Sequence, residues 1–83
     1  MTFNIFEKTW NPDGTHAFAA YEKDDEDEAY GLYHAKCAAN RRNANCPRYL
    51  VALFNDEGAN FATEYRVKPI SELEVEPEEE INE

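Results

Sequence analysis

The stretch Tyr49-Leu50-Val51-Ala52-Leu53-Phe54-Asn55-Asp56-Glu57-Gly58-Ala59-Asn60-Phe61-Ala62-Thr63-Glu64-Tyr65-Arg66-Val67 decides the fold. It opens with an unbroken apolar run, Tyr49 to Phe54, of the length and composition of a strand. Its second half alternates Phe61, Thr63, Tyr65 and Val67 with Ala62, Glu64 and Arg66, the period of a strand that shows one face to water. Between the two stands Asn55-Asp56-Glu57-Gly58, where Asn and Asp stabilise a turn through their own backbone and Gly accepts a positive φ. The pattern predicts a hairpin whose apolar strand lies centrally and whose alternating strand shows one face to water.

Working upstream, the chemistry repeats. A strand-like run with Phe3, Ile5, Phe6 and Trp10 is joined to a second, Thr15 to Tyr21, by Asn11-Pro12-Asp13-Gly14. Proline presets φ for the second turn position and Gly again accepts the strained last one, so a first hairpin is predicted here. Between the hairpins, Ala29, Leu32, Tyr33, Cys37 and Asn40 recur at helical spacing in a segment that runs from Ala29 to about Arg42. Asp24-Asp25-Glu26-Asp27-Glu28 precedes that segment, and Lys36, Arg41 and Arg42 close it; both polarities complement a helix macrodipole. Asp24 or Asp25 is the expected N-cap, with Glu28 near the capping-box position. Gly31 weakens the helix, and Asn43-Ala44-Asn45-Cys46-Pro47 ends it. The expected fold is α+β in the order ββαββ: a four-stranded antiparallel sheet with one helix on one face and the acidic helix start on the surface.

With 83 residues the chain has room for one small core, so two domains, a doubly wound cofactor sheet and a large barrel are excluded. Residues 1–70 are read as the single ββαββ domain and residues 71–83 as an acidic tail expected to be disordered. Leu73 and Val75 alternate with Glu72, Glu74 and Glu76, a pattern that also suits a short edge strand, here or on a partner. The formal charge is −10, and the acid sits in two blocks, residues 22–28 and residues 71–83. Such a chain repels phosphate backbones and anionic lipid, so neither direct nucleic-acid binding nor membrane binding is expected. It would attract a basic partner. No run approaches the length of a membrane span, and the N-terminus lacks the basic and then apolar order of a signal peptide, which makes a cytoplasmic location the expectation.

No catalytic or metal-binding signature stands out. Cys37, Cys46, His34 and His16 match no zinc spacing, and Cys37 lies on the inferred buried helix face, so free thiols are expected and no metal or cofactor. His34 and Cys37 lie three positions apart along a helix with no third group to orient them, which leaves no nucleophile of the Cys–His kind. The acids of the run Asp24 to Glu28 are consecutive and solvated, without the desolvation that general acid catalysis needs, and they lack the spacing of a calcium loop. The strand aromatics are assigned chiefly to the core, with Trp10, Tyr21 and Tyr30 as candidate exposed anchors. The chain is therefore read as non-enzymatic.

Trp10-Asn11-Pro12-Asp13-Gly14, the Tyr33-His34 pair, and Leu53-Phe54-Asn55-Asp56-Glu57-Gly58 ahead of Glu64-Tyr65 together resemble small proteins of bacteriophages and mobile elements, over about residues 3–68. In size and acidity the chain is also similar in type to phage-encoded anti-CRISPR proteins, several of which mimic DNA, although no anti-CRISPR motif is matched residue by residue. That resemblance implies an inhibitor acting in a bacterial host, whose acidic face occupies the basic nucleic-acid-binding surface of a host protein such as a CRISPR effector. The candidate partner-binding residues are Asp24, Asp25, Glu26, Asp27 and Glu28, followed by Glu72, Glu74 and Glu76. In extended chain the latter repeat at about 6.5–7 Å, near twice the ~3.4 Å step between phosphates of one strand. The alternative is a structural or assembly module that forms a homo-oligomer through an apolar sheet face.

Overall fold

A computed structural model describes residues 1–68 and has the expected ββαββ order. Strand β1 (Phe3–Trp10) is followed by β2 (His16–Lys23), the helix α1 (Glu26–Arg42), β3 (Arg48–Asn55) and β4 (Asn60–Val67). The sheet is antiparallel throughout, in the order β2-β1-β3-β4. The apolar strand β3 is paired on both sides, as its composition requires, and the alternating β4 is an edge.

Both turns use glycine as the chemistry dictates. Gly14 and Gly58 have φ of +92° and +89°, and each donates its N–H to the carbonyl of the asparagine that opens the turn. The Asn55 side chain then accepts from the N–H groups of Glu57 and Ala59 at 2.9 and 2.8 Å, so the second turn is held from within. In the first, Asp13 accepts from the N–H and hydroxyl of Thr15, which holds its carboxyl below the ordinary value.

The helix begins at Glu26, three residues before the apolar stripe, because Asp25 caps it: its backbone is extended and its side chain accepts from Glu28 N–H at 3.0 Å. The first turn is therefore built of acid. Ala29, Tyr33, Cys37 and Asn40 form the buried stripe and lie over Phe3, Ile5, Tyr49, Val51 and Leu53 of the two central strands. Cys37 and Cys46 are free thiols within this core. At the other end Lys68, itself buried, donates to the carbonyls of Asn40 and Asn43 at 2.5 and 2.7 Å, so a cation meets the last carbonyls of the helix.

Two expectations about aromatics are corrected. A bulge opposite Leu53 and Phe54 leaves Phe61 out of register, and its ring sits 6.0 Å from that of Phe3 instead of continuing the face of Thr63 and Tyr65. Nor are the strand aromatics mainly core: Phe18, Phe61 and Tyr65 are exposed, whereas Trp10, Tyr21 and Tyr30 are half-buried. A single helix covers one face, and alternate residues of every strand point to the other.

Because added atoms at Gly58 meet nothing within 4 Å, the cost of Gly58→Val is conformational. It is expected to be about 1–2 kcal/mol, read as a fall of several degrees in melting temperature. Gly31, mid-helix with equally open space, is the opposite case: Gly31→Ala is expected to raise stability by up to about 1 kcal/mol.

Candidate functional site

Strand register collects charge at the two ends of the sheet. Phe3 of β1 pairs with Lys23 of β2 and Asn55 of β3, so the end of β2, the start of α1 and the β3–β4 turn share one end. Glu22, Asp24, Asp25, Glu26, Asp27, Glu28, Asp56 and Glu57 gather there around a single base, Lys23. Among the described residues the opposite end receives Lys8, Arg41, Arg42, Arg48, Arg66 and Lys68, with Asp13 in its turn and Glu64 bonded to Arg41. The described residues thus form an acidic pole and a basic pole along the strand direction.

The structure brings the five predicted acids Asp24 to Glu28 together, all exposed, at the start of α1. Asp25 is committed to the cap, which orders the chain through the run, and the others project around it. Glu72, Glu74 and Glu76 lie outside the described residues, as does the edge strand considered for them. Glu22 falls in the acidic block read from the sequence but was not among its candidate residues, and Asp56 and Glu57 were missed by reading along the chain. Their signal is the hairpin geometry: once β1 is placed between β2 and β3, the second turn must fall at the end where the acidic run begins.

The helix carrying this pole is anchored by two carboxylates on the covered face. Glu7, Val51 and Glu64 are cross-strand partners in one row over β1, β3 and β4, and α1 lies across that row. On one side Asn40 Nδ2 donates to Glu7 at 2.8 Å, the Tyr21 hydroxyl donates to it at 3.4 Å, and Lys36 Nζ lies 3.7 Å away. On the other, Arg41 makes two parallel bonds of 2.8 Å to Glu64, and the Tyr49 hydroxyl also donates to it. The Arg41 guanidinium brings the Glu64 carboxyl down to about 2, against a smaller opposing effect of burial, and the same pairing raises Arg41. Arg41 thus does more than complement the helix dipole: its partner is β4.

Among the described residues the thiols, histidines and buried hydroxyls stand apart from one another or are held in the core. Burial pushes the Cys37 thiol up, with the nearby Glu64 charge adding to it, so little thiolate forms. Burial likewise raises the Tyr33 and Tyr49 hydroxyls to about 12. His34, exposed, stacks on Tyr30 and lies edge-on to the buried Tyr33, and His16 lies at the exposed start of β2, apart from the cysteines in the core. Among the described residues no three His, Cys, Asp or Glu side chains are grouped to hold a metal ion, and no helix is long and apolar enough to cross a membrane. Comparison of the chain with protein-family models, curated proteins and solved structures finds no match.

The depressed Glu64 value makes an acid-limb test. A carboxyl held below its unfolded value stabilises the fold above the unfolded value near 4.5, and that stabilisation is lost as pH falls through about 2. Melting temperature is expected to decline across this window, and Glu64→Gln is expected to lower it at neutral pH and flatten the decline. Asp13, also held down, supplies the slope that remains.

Proposed function

We propose that this chain is a non-enzymatic acidic binding protein whose acidic pole occupies a basic, nucleic-acid-binding surface of another protein. The observation that carries the reading is the convergence of Glu22, Asp24 to Glu28, Asp56 and Glu57 on one end of a rigid sheet, with Asp25 fixing the path of the run. Carboxylates held on an ordered scaffold form charge-assisted bonds with Arg and Lys without first losing much conformational freedom. Their mutual repulsion, unfavourable in the free protein, is relieved when a cationic surface neutralises it. The resemblance in type to anti-CRISPR proteins makes a CRISPR effector of a bacterial host the first partner to try, and Glu72, Glu74 and Glu76 add further negative charge to the same chain.

The test is capture of partners from a bacterial lysate on the immobilised full chain, at low and high salt, with two variants. Asp24→Lys combined with Glu26→Lys and Asp27→Lys reverses charge while sparing the Asp25 cap; Asp24→Asn combined with Glu26→Gln and Asp27→Asn only removes it. Basic partners are expected to bind the parent chain at low salt, to weaken at least about tenfold on reversal, and to weaken less on neutralisation. Binding that ignores both salt and reversal overturns the reading.

A further inference from the structure

The face of the sheet opposite α1 carries a band of aromatic and aliphatic side chains that nothing covers among the described residues. Phe18, Phe6 and Phe54 form a ladder over β2, β1 and β3, with successive ring centroids 6.0 and 5.6 Å apart. Leu50, Tyr65 and Val67 continue this surface over β3 and β4, and Phe18, Tyr65 and Val67 are 63%, 55% and 60% exposed. Four strands of eight residues span about 19 by 26 Å, a footprint of about 500 Å². Two such footprints reach about 1,000 Å², where specific interfaces begin.

Charge on this face identifies what fits it. Arg48 stands at its basic end as the cross-strand neighbour of Trp10, and Lys8 lies one row inward between Phe18 and Leu50, with distances to the Trp10 ring of 4.7 and 5.2 Å. Glu22, paired with Asn4, stands on the same face at the acidic end. A surface whose cations, Lys8 and Arg48, lie in one half and whose acid, Glu22, lies at the far end of the other, among apolar side chains, is complementary to itself when one copy is turned end for end.

We propose that this open face is a homodimer interface in which two copies stack sheet on sheet about a two-fold axis running across the strands. That operation lays the Lys8 and Arg48 end of one copy over the Glu22 end of the other, whereas an axis along the strands would set like charges together. Sheets stacked this way sit ~10 Å apart with inner side chains interleaved, which removes the phenylalanine ladder from water. Both helices face outward. The acidic run at the start of α1 belongs to that outer layer, so Phe18→Asp and Tyr65→Asp test the dimer apart from the proposed partner binding, and Glu22 is the residue the two readings share.

Sedimentation equilibrium of the full chain over micromolar concentrations tests the proposal. The expected species has twice the 9.6 kDa mass of the chain. Phe18→Asp and, separately, Tyr65→Asp change exposed edge-strand positions outside the core, and each is expected to weaken association at least about tenfold with the helix content unchanged. Lys8→Glu and Glu22→Lys should each weaken the dimer at low salt, and the two together should restore it at least partly. A parent chain that stays monomeric, including one that instead binds single-stranded oligonucleotide, overturns the proposal, as does association indifferent to Phe18→Asp and Tyr65→Asp. A charge-swapped pair no tighter than either single variant overturns the orientation.

Discussion

Burial of one helical stripe against the two central strands is the interaction on which the rest of this chain depends. Ala29, Tyr33 and Cys37 of α1 close over Ile5, Tyr49, Val51 and Leu53, and this cluster is small because the domain is small. Everything polar nearby serves to hold that contact in one geometry. Glu7 and Glu64 take the helix from either side of Val51, and Lys68 closes its last turn. Truncating one partner of such a pair leaves its mate partly desolvated, so these contacts fix where the helix lies more than they add to the cohesion of the core.

The same economy determines what the molecule presents outward. With one helix for a four-stranded sheet, a face bearing Phe6, Phe18, Leu50, Phe54 and Tyr65 has nothing over it among the described residues. A hydrophobic surface of this extent on a small protein is a place for another molecule. Among the described residues, the direction of the strands sorts most of the acid to one end and most of the base to the other. An extended dipolar charge pattern of this sort orients encounters as well as strengthening them, because the field acts before contact.

Turns and helix capping were legible because their causes are local. Asn55 to Gly58 and Asn11 to Gly14 carry their own hydrogen-bonding partners and their own positive-φ residue, and Asp25 caps with a bond to the third residue of its helix. The early helix start has the same origin: the cap, and not the first apolar residue, marks the boundary. The bulge that turns Phe61 toward Phe3 was not legible, since alternation alone assigns it to the other face. Likewise the pairing of Arg41 with Glu64 spans 23 positions, and helix polarity already offered Arg41 a sufficient local role.

By itself the amino-acid sequence determined the element order, the position of both turns, the buried stripe of the helix and the presence of a dense acidic run, all of which follow from periodicity and short-range backbone chemistry. Only the tertiary structure decided that Asp56 and Glu57 share an end with Asp24 to Glu28, that Glu7 and Glu64 flank one valine beneath the helix, and that the aromatic residues divide between a core and an open face. The physical reason is that strand order and register set which distant residues become neighbours, and those depend on how the whole chain buries its apolar surface at once.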